Sequence, residues 1–377
     1  MLNLTPKKIL IIKPSAIGDV VHTLPILNLV RTRWPDAHIA WLVTPGCAGM
    51  IDGHPQLDEI ILFDRKRLAG WWRSPKTFAA LSRFKRELRA KQFDLVLDLQ
   101  GLFRSGWLAR KTRAPVRVGF RNAREFAWAF YTHRVPIDTM EQHAVDRYLK
   151  LARYIGCEGE TKFVFPHTDT DRATVRTMLA DAVNADSSFS RWACPARPEA
   201  PPSDRPSDSP VALPYAILAP TTNWETKRWP SERFAALVPL LRDRFGLASV
   251  LIGGPDVAGL SAQIPGAINL GGKTSLRELC ALIEGAQLVI ANDSGPMHIA
   301  AAMNRPLVTV FGPTNPVRTG PYQRPGSVVR LALPCSPCYS RTCSHQSCLK
   351  WLPEESVAAV AAKEMGVSSP AASPAES

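Results

Sequence analysis

"LVIANDSGPMHIAAAMNRPLVTVFGPTNP", residues Leu288–Pro316, carries the pattern on which the fold turns. The apolar run before Asn292 reads as a buried strand, and Asp293-Ser294-Gly295 turns it into a helix with Pro296 in the first turn. Proline is pre-set for a first helical position and gives up no needed donor there. Leu307–Phe311 follows as a second strand. A strand, a helix and a strand in so short a span are the unit of a parallel sheet. The N–H groups of Ser294 and Gly295, at the positive end of a helix dipole, form an anion site. The next strand end repeats the device in Gly312-Pro313-Thr314-Asn315, and two such loops side by side suit a diphosphate. The plainer alternative is an N-cap that starts a core helix. His298, one turn in, fits a phosphate contact or core filling equally.

The alternation continues in both directions. Ile9–Ile12, Ala37–Val43, Glu59–Phe63, Leu95–Leu97 and Val116–Gly119 read as strands, with helices over Asp19–Arg33, Thr77–Lys91 and Leu102–Arg110. Later, Tyr215–Leu218 and Ser249–Ile252 are strands, and Ser231–Arg244 and Leu276–Ile283 are helices. This order predicts an α/β protein with two doubly wound, Rossmann-like domains, ligands binding in a cleft at the carboxyl ends of both sheets. Between the halves, "SSFSRWACPARPEAPPSDRPSDSP" is Pro- and Ser-rich, without periodicity, and cannot bury a core. The expected organisation is a first domain over 1–182, a disordered insertion over 183–212, a second domain over 213–350, and a helix with a disordered tail over 351–377.

The chain's 377 residues suffice for two cores. No run of about 18 apolar residues predicts a spanning helix. The start, MLNLTPKKILIIKP, has too short an apolar run for a signal peptide, so a cytoplasmic protein is expected. The net charge of +13 lies wholly in the first half: residues 1–153 hold 26 Lys and Arg against 13 Asp and Glu. A solvated basic face is one reading, and an anionic partner the other. No nucleic-acid motif occurs, so no nucleic-acid partner is expected. The stretch RKRLAGWWR (Arg65–Arg73) mixes cations with two tryptophans, which suits the anionic face of a membrane.

Three further stretches carry chemistry. In "APTTNWETKRWPSERFAAL" (Ala219–Leu237), Lys227 and Arg228 stand before a helix start. A leaving phosphate needs a cation there as its charge grows, though a loop lysine can also be merely solvated. "LIGGPD" (Leu251–Asp256) is a glycine turn open to a base or ribose. There is no G-x-G-x-x-G and no P-loop, which removes the main support for a nicotinamide dehydrogenase. Of the eight cysteines, Cys335, Cys338, Cys343 and Cys348 form C-x2-C-x4-C-x4-C, a candidate structural metal site or a set of reduced thiols. The opening "KPSAIGDVVHTLP" (Lys13–Pro25) looks like a strand-to-helix phosphate turn, yet it offers one glycine and an acid, Asp19. By itself Asp19 reads as a helix N-cap.

Taken together, SAIGDVVHTLP, DLQGLFRS (Asp98–Ser105), TKRWP (Thr226–Pro230), NDSGPMH and FGPTNP resemble the family 9 glycosyltransferases, the bacterial heptosyltransferases of lipopolysaccharide core assembly. The resemblance runs in order over most of residues 8–350. It implies a GT-B fold, an ADP-heptose donor, a lipid A-linked core oligosaccharide acceptor, inversion at the anomeric carbon, no cofactor and no catalytic metal. It implies a cytoplasmic enzyme working peripherally at the inner face of the inner membrane. Asp19 then matches the base that takes the acceptor proton, and Lys227 the donor-phosphate lysine. Asp293 matches the acid on the heptose hydroxyls, and Ser294, Gly295, His298 and Thr314 the diphosphate loops, with Thr221, Thr222 and Gly254 completing the donor side. Ser15, Gly18, His22, Gln100, Arg104 and Arg124 fall on the acceptor side. The Pro/Ser insertion departs from the pattern, and the loop after Gly254 has no acid beyond Asp256. The Cys cluster leans the resemblance towards the enzymes that add the second heptose. The rivals are a family member with another nucleotide sugar or acceptor, and a non-catalytic nucleotide-sugar- or glycan-binding relative. A dead relative has no need of both Asp19 and Lys227.

Overall fold

The computed structural model describes residues 2, 4–64, 74–139, 141–185 and 213–367. Two compact units divide the chain, Met1–Pro166 and His167–Ser377. The first holds strands β1 (Lys8–Ile12), β2 (His38–Val43), β3 (Glu59–Leu62), β4 (Leu95–Asp98), β5 (Val116–Phe120) and β6 (His133–Val135). The second holds β7 (Tyr215–Ala219), β8 (Ala248–Leu251), β9 (Ala267–Asn269), β10 (Leu288–Asn292), β11 (Leu307–Val310) and β12 (Val328–Val329).

The sheets are ordered β3-β2-β1-β4-β5-β6 and β12-β11-β10-β7-β8-β9. Every pairing is parallel. Counted within each unit, both run 3-2-1-4-5-6, the Rossmann order, so the winding reverses between β1 and β4 and again between β7 and β10. Those two crevices lie at the carboxyl ends of the central strands. β7 and β10 are buried along their whole length, as strands covered by helices on both faces must be. One face of the first sheet packs Leu10, Ile12, Val96 and Leu108 with Phe84 and Trp107. In the second unit Trp229 and Phe234 meet edge to face, with ring centroids 5.1 Å apart, in a core that includes Ile290 and Val310.

The structure departs from the sequence expectations in several places. The helix expected over Asp19–Arg33 is two, Ile17–Val21 and Leu24–Arg33. Pro25 cannot donate to the fourth carbonyl behind it, so the chain turns at His22-Thr23 and restarts. The boundary falls after Pro166 rather than after residue 182. The helix Asp169–Ala185 belongs to the second unit because Arg172 bonds Glu284 at 2.6 Å and Arg277 bonds Asp171 at 2.8 Å, both partners lying on or beside the helix Leu276–Gly285. The expected C-terminal helix is Glu354–Glu364. Arg65–Arg73, residues 186–212 and the tail from 368 lie outside the described residues. No helix among the described residues is long and apolar enough to cross a membrane.

Candidate active site

In the second unit, four strand ends bring the donor-side candidates to one edge. Thr221 and Thr222 follow β7, Gly254 follows β8, Asp293 to His298 follow β10, and Thr314 follows β11. Asn292 ties the β7 and β10 loops together: its Nδ2 donates to the Pro220 carbonyl at 2.7 Å, and its Oδ1 accepts from the Trp229 N–H at 3.1 Å. Lys227 is thereby delivered to Asp293, with Nζ 2.7 Å from Oδ2. The same Oδ2 accepts the Thr314 hydroxyl at 2.7 Å, and the Thr222 hydroxyl donates to the Asp293 carbonyl at 3.2 Å. Lys227 also stands 4.6 Å over the Trp224 ring, and Arg341 lies at the same distance from that ring. Ser294 begins the helix Gly295–Ala302 in extended conformation, its hydroxyl turned back to the Asn292 carbonyl at 3.1 Å. The first-turn N–H groups have no helical carbonyl within reach, which leaves donors for an anion.

The glycine turn after β8 is shaped by the protein itself: Gly253, at φ +149°, would put a Cβ 2.4 Å from Val257 and 2.8 Å from the Thr221 hydroxyl. Next to it, a Cβ on Gly254 would stand 3.0 Å from Asp256 Oδ1. His298 is buried in its helix. The four clustered cysteines are free thiols. Burial, then the other three thiols, push the Cys348 thiol up. No group of three or more His, Cys, Asp or Glu placed to hold a metal exists among the described residues, so the metal reading of C-x2-C-x4-C-x4-C gains no support.

In the first unit, the acceptor-side candidates also share a carboxyl edge. Ser15, Gly18, Asp19 and His22 follow β1, Gln100 and Arg104 follow β4, and Arg124 follows β5. The β4 turn is built on Asp98, whose Oδ1 accepts from the N–H groups of Gln100 at 3.0 Å and Gly101 at 3.1 Å, while Oδ2 accepts the Tyr131 hydroxyl at 2.7 Å. Burial pushes the Asp98 carboxyl up, against those bonds. The Arg124 N–H donates to the Gly101 carbonyl at 3.0 Å, which brings the loop of the exposed Arg124 to the turn that leads into the helix Phe103–Lys111, where Arg104 is exposed in the first turn. Gln100 Oε1 is buried with no partner among the described residues.

Two residues to which the sequence reading gave no role hold Asp19. Lys13, at the end of β1, is buried; its Nζ lies 3.2 Å from Asp19 Oδ1 and donates to the Tyr148 hydroxyl at 2.6 Å and the Leu99 carbonyl at 3.1 Å. The Tyr148 hydroxyl lies 3.3 Å from Asp19 Oδ1, and Asp19 Oδ2 accepts the Ala16 N–H at 3.2 Å. Burial works to lower the Lys13 pKa, but Asp19 and Tyr148 outweigh it and hold the ammonium above its ordinary value. The one sequence signal was a lysine placed directly after four buried apolar residues, where a cation requires partners.

Two Rossmann-ordered sheets in one chain, each carrying its polar groups at the carboxyl edge of the central strands, make up the GT-B fold. The family model for glycosyltransferase family 9 (heptosyltransferase) matches residues 81–349, and the chain belongs to that family. It is 31% identical over 347 residues to lipopolysaccharide heptosyltransferase 1 of Pseudomonas aeruginosa, covering 90% of this chain and 88% of that one. Against lipopolysaccharide heptosyltransferase 2 of Salmonella typhimurium it is 26% identical, covering 86% and 88%. Among solved structures, Escherichia coli heptosyltransferase WaaC with ADP superposes with TM-score 0.69 and 27% identity over 95% of this chain and 99% of that one.

Proposed function

We propose that this protein is an inverting transferase that moves heptose from ADP-heptose to the lipid A-linked inner core of lipopolysaccharide, with Asp19 as general base. The observation that carries the reading is the opposite exposure of two lysine–aspartate pairs. In Lys13–Asp19 the lysine side chain is 3% exposed and the acid 39%; in Lys227–Asp293 the lysine is 16% exposed and the acid 6%. The first unit therefore presents a carboxylate, and the second presents a cation. In the proposed reaction the acceptor hydroxyl oxygen attacks the anomeric carbon and its proton passes to Asp19. The bond from that carbon to the donor phosphate breaks, and ADP leaves with the electron pair. Lys227 and the first-turn N–H groups of the helix Gly295–Ala302 meet the growing phosphate charge. Asp293 and Thr314 hold Lys227 in place, so sugar-hydroxyl recognition by Asp293 is secondary to that anchoring.

A relative solved with ADP-2-deoxy-2-fluoro heptose, 27% identical at TM-score 0.67, supports an ADP-heptose donor. The higher identity to a heptosyltransferase 1 than to a heptosyltransferase 2 weighs against the second-heptose lean drawn from the cysteines. Arg104 and Arg124 supply charge for a phosphorylated acceptor, and the lipid-linked acceptor places the enzyme peripherally at the inner face of the inner membrane. Purified protein incubated with ADP-heptose and truncated core acceptors should release ADP and add one heptose to the acceptor mass. Chelator should leave that rate unchanged, because protein cations and helix N–H groups carry the charge. Transfer from another nucleotide sugar with none from ADP-heptose would replace this reading by that of a different donor.

A further inference from the structure

An open groove in the first unit is lined by residues other than Asp19 and its partners. The groove, of about 1050 Å³, runs between the helices Pro75–Ala90 and Phe103–Lys111. Lys85, Arg86, Arg89, Arg110, Lys111 and Arg113 line it, with Arg117 at its floor, and no carboxylate does. Arg86, Arg89, Arg110 and Arg113 have no ion-pair partner among the described residues. Lys85 and Lys111 lie over the Trp107 ring at 5.8 and 5.4 Å, so aromatic faces rather than acids hold these cations. Burial, and then the neighbouring Arg110, lower the pKa of Arg117. Cations in a last helical turn are stabilising in themselves, which accounts for Arg89, Arg110 and Lys111. It does not account for Arg86 and Arg113 converging on the same space, where like charges repel; Arg117 beside them is tied to the Phe130 carbonyl at 2.9 Å and the Ala114 carbonyl at 2.5 Å. Phe78 stands at the groove with 52% of its surface exposed, beside Lys85 at 5.9 Å.

We propose that this groove is a docking face for the headgroup phosphates of an anionic lipid bilayer. The partner has many phosphates, since seven cations over an open groove exceed what one phosphate can satisfy. A bilayer is favoured over a nucleic acid because an exposed phenylalanine among cations suits an interface with an apolar side. The helices run back from the carboxyl edge, so the groove follows the flank of the first unit, from Phe78 in the first turn of Pro75–Ala90 to Arg113 and Arg117 by the amino end of β5, and shares no residue with the Asp19 turn. Membrane attachment and chemistry are therefore separable. The proposal rests on the lipid-anchored acceptor of the proposed function, and names the surface that brings the enzyme to it.

The test is flotation of the full chain with vesicles of phosphatidylcholine containing phosphatidylglycerol, beside vesicles of phosphatidylcholine alone. The unmodified protein is expected on the anionic vesicles and not on the neutral ones. A cation near an anionic leaflet contributes about fivefold in binding, so Arg86→Glu with Arg89→Glu and Arg110→Glu should lose at least about a hundredfold. Phe78→Ser should lose a few-fold more modestly. Should the reversed triple fail to fold, Arg86→Gln with Arg110→Gln should still lose about 25-fold. Turnover on a water-soluble, delipidated acceptor should stay within about twofold in every variant that melts normally. Its absence in the unmodified protein would count against the transferase reading and leave the vesicle result standing. Vesicle binding unchanged in the triple, or a single-stranded oligonucleotide that displaces the protein from vesicles at equal phosphate, would overturn the docking face.

Discussion

The two units have the same strand order and the same kind of ion pair at the reversal of that order, but they anchor opposite members of it. In the first unit the lysine is the anchor: all three donors of the Lys13 ammonium are engaged, by Asp19, Tyr148 and the Leu99 carbonyl. In the second unit the acid is the anchor, since Asp293 Oδ2 receives both Lys227 and Thr314. A charge taken out of water needs several partners to stay ionised, so the more buried member of each pair is the fixed one and its less buried counterpart is nearer to solvent. The difference teaches that a motif's acid and its lysine cannot be assigned by chemistry alone; their burial separates the anchored member from the one nearer to solvent.

The comparison breaks most readily at Asp19. Asp19→Ala should lower turnover by about 10²–10⁴-fold, the usual worth of a positioned base. ADP binding, measured by calorimetry, should be nearly unchanged because the donor loops are in the other unit. Turnover near normal in a stably folded variant would sink the assignment. Lys227→Ala is its counterpart and should act on both quantities. Loss of one charged donor to the leaving group costs about 10²–10³-fold in turnover, with weaker ADP binding besides. If ADP affinity and turnover both survive, Lys227 is the anchored partner and the contrast between the units is lost.

The sequence carried the central strands of both sheets because each is an apolar run ended by a turn, as in Ile9–Ile12 and Leu288–Ala291. It did not carry β6, β9 or β12, which are edge strands of three, three and two residues, too short for any period to show. The helix Asp169–Ala185 went unread beside the Pro/Ser stretch, and with it the division into compact units after Pro166. Asp19 and Lys227 were legible as polar groups at strand ends. Their opposite exposure was not, because it depends on Tyr148, 129 residues along the chain from Asp19, and on Thr314 at the end of a different strand. Polar partners that meet through topology leave no spacing to read.

Tyr148→Phe sharpens the first half of the contrast. The ring remains stacked on Phe120, with centroids 6.2 Å apart, while the hydroxyl beside Lys13 and Asp19 is removed. One such bond is worth about 0.5–1.5 kcal/mol, so turnover should fall by up to about tenfold. The Michaelis constants for donor and acceptor should hold, since neither substrate is met by this hydroxyl in the proposed reaction. A change confined to the donor's Michaelis constant would show that Tyr148 serves the wrong unit for the argument.

The smallest effect concerns where one unit ends and the other begins. Asp171 is partly buried against Arg277 and Thr168; burial raises its carboxyl, but the Arg277 guanidinium and the Thr168 N–H and hydroxyl together hold it down at about 2. A carboxyl lowered in the folded state adds stability that is complete above its unfolded value of 3.8 and fades as pH falls towards 2. Asp171→Asn should therefore cost about 0.2–1 kcal/mol at neutral pH, the range for a partly exposed pair, and flatten the acid dependence between pH 4 and 2. Because the helix Asp169–Ala185 packs on the second unit, the loss should appear in the unfolding of that unit, followed by hydrogen exchange in the helix Leu276–Gly285. Amides of β1 and β4 should keep their protection. Loss of protection in β1 and β4 with none in Leu276–Gly285 would move the boundary back beyond the helix, to the place the sequence suggested.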